Sequence, residues 1–91
     1  MMPRVKFTTN LKQFFPTLTT VEVQGSTVTE VVAAVNERWD GLRDYIVDEH
    51  GRLRRHVNIF VGEDLIHDKV HLSDAVNDDD VVYIMQALSG G

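Results

Sequence analysis

Thr27-Val28-Thr29-Glu30-Val31-Val32-Ala33-Ala34-Val35-Asn36-Glu37-Arg38-Trp39 is the stretch on which the fold turns, because it carries the main helical pattern of the chain. Val28, Val31, Val32, Val35 and Trp39 recur at spacings that place them on one helical stripe, while Glu30, Asn36, Glu37 and Arg38 decorate the other side. Thr27 followed three residues later by Glu30 reads as a capping box, in which each side chain satisfies a backbone N–H at the helix start, so a helix beginning at Val28 is expected. Four valines lose side-chain freedom in a helix, so packing must hold the stripe. Asp40-Gly41 ends the pattern, and Leu42, Tyr45 and Ile46 then mark a short helical turn suited to cover one end of a sheet.

Strand patterns lie on both sides of this helix. Residues 3–8 alternate, with Val5 and Phe7 on one face and Arg4 and Lys6 on the other, and residues 18–24 repeat the scheme with Val21 and Val23 inward and Glu22 outward. Residues 10–16 then connect a hairpin, and Phe14 and Phe15 within it either fold back over the core or form an exposed contact surface. Beyond the helix, residues 48–55 read as a charged loop centred on Gly51. Val57, Ile59 and Val61 face one way in the next strand, leaving Asn58 and Phe60 outward. Gly62-Glu63-Asp64 turns the chain, Leu65 and Ile66 suit a short strand, and Leu72 and Val76 suit a turn packed beneath. Asp78-Asp79-Asp80 is a solvated turn before a last strand, residues 81–87, with Val82 and Ile84 inward and Tyr83 and Met85 outward. The order strand, strand, helix, strand, short strand, strand predicts an α+β fold of the β-grasp type: a mixed sheet of four to five strands with one main helix packed on one face. A right-handed crossover after the helix lets the first and last strands pair in parallel at the centre.

Ninety-one residues suit a single domain, 1–91, burying roughly 60 to 65% of its unfolded surface without help from metal or disulfide. With 43% hydrophobic and 25% charged residues, no apolar run approaches the length of a bilayer span, so no membrane role is expected. The start lacks the apolar stretch of a secretion signal and the chain has no cysteine, which together predict a cytoplasmic protein. A net charge of −5 argues against nucleic acid and for a basic protein surface as partner, with Arg52, Arg54 and Arg55 the one local basic cluster. Of His50, His56, His67 and His71 only the last two have helical ligand spacing, and no helix is expected there, so no metal site is expected. The Asp78-Asp79-Asp80 run lacks the glycine and distal glutamate of a calcium loop. Ser89, on a tail, has nothing to hold a base against it, and the chain is not expected to be an enzyme by itself.

The last strand runs into Gln86-Ala87-Leu88-Ser89-Gly90-Gly91. Residues 88–91 read as a flexible tail whose two glycines can enter a slot too narrow for any Cβ atom. An α-carboxyl of pKa about 3.3 to 3.7 is ionised at neutral pH and can attack the α-phosphorus of ATP held by a partner. If the helix covers one sheet face, the other carries Phe60, Tyr83 and Met85, with Leu88 at the root of the tail, an apolar cluster of the kind that marks an interface.

Asp80-Val81-Val82-Tyr83-Ile84-Met85-Gln86-Ala87-Leu88-Ser89-Gly90-Gly91 resembles the C-terminal block of the MoaD/ThiS ubiquitin-like sulfur carriers. Gly51-Arg52-Leu53-Arg54-Arg55-His56-Val57-Asn58-Ile59-Phe60-Val61 resembles the central segment of the longer members, the molybdopterin-synthase small subunit and the CysO-type carrier of cysteine synthesis. The resemblance implies that an E1-like adenylating enzyme, supplying ATP and magnesium, activates the carboxylate of Gly91, and that a sulfur donor then converts it to a thiocarboxylate for a sulfur-accepting synthase. It further implies that Gly90 gives the narrow approach and that Phe60 and Met85 belong to the partner-binding patch, with no cofactor held by the chain itself. Asp79 stands where members often have a turn glycine, and Ser89 where alanine is frequent. Two rival expectations accompany this one: a modifier joined through Gly91 to lysines of other proteins, or a β-grasp binding module with an idle tail.

Overall fold

The computed structural model describes residues 2–86. Alternation along the outer strands of the pattern gives β1 (Arg4–Phe7) and β5 (Val81–Gln86), which lie side by side and parallel, with Val5 opposite Val82 and Phe7 opposite Ile84. The short β2 (Val21–Glu22) pairs antiparallel with β1, β3 (Val57–Val61) with β5, and β4 (Asp64–Leu65) with β3, so the sheet order is β2-β1-β5-β3-β4. The chain thus has the mixed five-stranded sheet and main helix of a β-grasp protein.

Helix α1 (Val28–Arg38) turns its valine stripe onto the sheet: Val28, Val31 and Val35 are fully buried, and they share one core with Val5, Ile59, Val82 and Ile84. This packing is what offsets the poor helix propensity of a valine-rich segment. The cap forms with one change of partner. Thr27 Oγ1 accepts from the Glu30 N–H at 3.2 Å, but the Glu30 carboxylate turns to Ser26, accepting from its N–H at 2.8 Å and its hydroxyl at 3.1 Å. Ser26 offers two donors at one point where the Thr27 backbone offers one. Gly41, at φ 91°, reverses the chain into α2 (Leu42–Ile46), a conformation that side-chain-bearing residues rarely adopt. Asn36, read from sequence as surface decoration, accepts from the Gly41 and Arg43 N–H groups and so ties the two helices together.

Two expectations are corrected. The second strand, expected over residues 18–24, pairs only at Val21–Glu22; Val23 adds one bond to the Pro3 carbonyl, while Leu18 is buried by a turn closed on Phe15. Residues 10–16 are a 3₁₀ helix, Thr9–Gln13, followed by a turn, with Leu11 buried at 1% exposure. Phe14 and Phe15 divide between the two alternatives. Phe15 packs on the core edge-on to Tyr45, whereas Phe14 is 51% exposed and lies over the same ring at 4.8 Å.

The segment between β4 and β5 is organised by carboxylates. Asp68 accepts from the backbone of Val70, His71 and Ser73 and from the Ser73 hydroxyl, and Asp74 accepts from the backbone of His67 and Asp68. The His71 amide and the Ser73 hydroxyl favour the ionised form of Asp68 and lower its pKa to about 2. A depressed carboxylate stabilises the fold above its unfolded pKa of about 3.9 and loses that contribution as pH falls through the folded value. Asp68→Asn is therefore expected to lower the melting temperature at pH 6, with the difference from wild type shrinking as pH falls from about 4 to about 2. Thermal melts across that range check it, and a pH-independent difference would contradict it.

Candidate functional site

The face of the sheet turned away from α1 is built by register. Lys6 lies opposite Tyr83, Tyr83 opposite Phe60, and Phe60 opposite Leu65, so one row crosses four strands, with Met85 and Asn58 paired in the next row. Side chains at facing positions of neighbouring strands point the same way. Phe60 and Tyr83 are half-buried, while Met85 and Leu65 are each 38% exposed. The structure therefore brings together Phe60, Tyr83 and Met85, as the alternation predicts.

Leu65 is the member that sequence reasoning missed. Its signal was the two-residue turn: Val61 pairs with Asp64 across Gly62-Glu63, which forces Leu65 opposite Phe60. Gly62 takes φ 64° there, the left-handed value a tight hairpin needs at its first central position. The two phenylalanines of the connection at residues 10–16 are engaged elsewhere, since Phe14 and Phe15 both pack against Tyr45 of α2. Phe60→Asp is expected to weaken binding of a protein partner at this face by about tenfold or more while costing the free chain little. Calorimetric titration alongside a thermal melt checks this, and undiminished binding would remove Phe60 from the interface.

Charge differs between the two ends of β5. The Val81 end carries Asp78, Asp79 and Asp80, whose shallow cleft also includes Arg4 and Glu22. At the Gln86 end lie Arg54 and His56, with Phe14 and Tyr45 beside them. The basic cluster is partly committed: Arg52 pairs with Asp48 at 3.5 Å and Arg54 Nε donates to the Asp44 carbonyl at 2.7 Å, leaving Arg55 beside Lys69 in a neighbouring cleft. Near His67 and His71, the carboxylates of Asp68 and Asp74 are engaged by backbone amides. Among the described residues, no group of three or more His, Asp and Glu side chains is placed to hold a metal ion. No helix among them is long and apolar enough to cross a membrane.

The last described residue of β5, Gln86, lies opposite Val57. Leu88, Gly90 and Gly91 lie outside the described residues.

The model of the ThiS family matches residues 5–91. Sulfur carrier protein CysO of Mycobacterium tuberculosis (strain ATCC 25618 / H37Rv) is 30% identical over 73 residues, which cover 78% of each chain. Among solved structures, a chain of the Amycolatopsis orientalis BexX/CysO complex superimposes with a TM-score of 0.82 at 28% identity, covering 97% of this chain and 98% of the other. SAMP1 of Haloferax volcanii, at 22% identity, TM-score 0.78 and full coverage of both chains, shares the fold. A terminal block and a central segment that resemble one family, a β-grasp sheet with an apolar open face, and a family match running to the last residue converge: the chain belongs to the ThiS family of ubiquitin-like sulfur carriers.

Proposed function

We propose that this chain is a sulfur carrier whose Gly91 carboxylate is adenylated by an E1-like enzyme and then converted to a thiocarboxylate that donates sulfur in biosynthesis, of the cysteine or molybdopterin type. The observation that carries the reading is the family match, which extends through Gly90 and Gly91 rather than stopping at the sheet. The curated relatives named as sulfur carriers support it.

In the first step a Gly91 carboxylate oxygen attacks the α-phosphorus of ATP and pyrophosphate leaves. In the second, a hydrosulfide ion from the sulfur donor attacks the acyl carbon, the C–O bond to AMP breaks, AMP leaves, a proton is lost, and the terminus becomes a thiocarboxylate. ATP and magnesium belong to the activating partner, and the chain is the substrate rather than the catalyst. Its own work is recognition and delivery: Phe60, Tyr83, Met85 and Leu88 contact the partners, while Gly90 lets the backbone pass a constriction that a Cβ atom would block. An apolar patch containing methionine and aromatic groups suits successive recognition by an activating enzyme and an accepting synthase in the cytoplasm.

An added residue after Gly91 tests this reading. It displaces the carboxylate and gives the terminus a side chain, so ATP-dependent pyrophosphate release by the activating enzyme should be lost until the extra residue is trimmed. Activation of the untrimmed extended chain at the wild-type rate would contradict the assignment.

A further inference from the structure

We propose that Thr8 and Asn10 are positioning residues that hold Gln86 and so fix the root from which residues 87–91 follow. Strand β1 stops pairing at Phe7, opposite Ile84, and the chain then turns away into the 3₁₀ helix. Strand β5 continues for two more residues along an edge that has lost its neighbour. Two side chains take the place of the missing strand. The Gln86 N–H donates to Thr8 Oγ1 at 3.1 Å, and Asn10 Nδ2 donates to the Gln86 carbonyl at 2.8 Å. The Thr8 N–H donates to the Ile84 carbonyl at 3.1 Å, so these bonds carry the parallel ladder beyond the strand that began it. Both side-chain bonds are part-buried and join positions 78 and 76 residues apart in sequence. Val57 lies opposite on the other edge but sends its own N–H to the Arg54 carbonyl, so the bonds to Thr8 and Asn10 are the ones that engage the Gln86 backbone.

Five residues follow Gln86, and five residues span at most about 17 Å. A carboxylate on so short a tether is delivered accurately only if the tether starts from a fixed point, because each further unfixed residue adds two dihedrals that must be ordered at the reacting centre. Releasing Gln86 adds its dihedrals to that set. The cost falls on the ground-state complex and the transition state alike, so it should appear in KM for the carrier rather than in kcat.

This inference rests on Gly91 being the activated group, and the test separates the two. Thr8→Val removes the acceptor and Asn10→Asp removes the donor at constant size, each leaving the other bond in place. In each variant, hydrogen exchange at the Gln86 amide should accelerate, and KM for the chain in ATP–pyrophosphate exchange with its activating enzyme should rise, both by about threefold to tenfold, the range set by one net hydrogen bond. Turnover should change by less than about twofold. Thr8→Ser, which keeps the hydroxyl, should restore wild-type values. Unchanged Gln86 exchange, or an unchanged KM in both variants while wild type is activated and a chain lacking Gly91 is not, would overturn the positioning role and leave the carrier reading standing. Failure of the wild-type chain to be activated would overturn both.

Discussion

Deleting Gly91 is expected to abolish activation of this chain while leaving its fold untouched. The deletion draws the terminal carboxylate back by about 3.5 Å, the span of one extended residue. Misplacement of a reacting group by about 1 Å already costs on the order of a hundredfold in rate, so a shift several times larger should take activation below detection. Stability should not follow. Every fully buried side chain described lies between Pro3 and Ile84, so no described core contact is lost and the melting temperature should stay within about 2 °C of wild type. Pyrophosphate release and a thermal melt on the same preparation check both halves. Retained activation, or a large fall in melting temperature, would reject Gly91 as the site.

Ile59→Ala is expected to do the reverse. Ile59 is fully buried, lies opposite Ile84 between the two central antiparallel strands, and accepts the Ile66 N–H at 3.0 Å as the chain returns from β4. Truncation to alanine leaves a cavity in a core that is thin for its surface, at a cost of about 2 to 5 kcal/mol. That is a large part of the about 5 to 15 kcal/mol that holds a domain of ordinary stability, and it corresponds to a fall of roughly 10 °C or more in melting temperature. Denaturant unfolding measures it. A loss below about 1 kcal/mol would show that the site collapses around the smaller residue. Activation measured well below the melting temperature should be near normal, because the tail and the open face are unchanged. Phe60, one residue along, faces the other way and is expected to show the opposite balance, with binding lost and folding kept.

The contrast between Ile59 and Phe60 also explains how much could be read from sequence. Period-two alternation assigned both faces of β3 and β5 correctly, because a one-residue slip would have exposed Val57, Ile59, Val82 and Ile84 together. The valine stripe and Thr27 likewise placed α1 at Val28. Legibility failed where structure depends on partners distant in sequence. Nothing local distinguishes the 3₁₀ helix at Thr9–Gln13 from a plain connection; it is held by Leu11 in the core and by Asn10 on Gln86. Residues 18–20 have a strand-like composition but no strand beside them to pair with. The open face was legible as Phe60, Tyr83 and Met85, whereas Leu65 required knowing that the turn holds two residues. Asn36, Thr8 and Asn10 act through side-chain bonds to backbone groups, and no periodicity signals those.

The central claim is that sulfur travels on the last residue, and an intact-mass measurement of the C-terminal fragment from protein isolated together with its activating enzyme, sulfur donor and ATP tests it most directly. Exchange of one terminal oxygen for sulfur on Gly91, dependent on ATP, is the predicted result. A terminus that stays a carboxylate, with or without Gly-Gly remnants appearing on lysines of other proteins, would contradict the account.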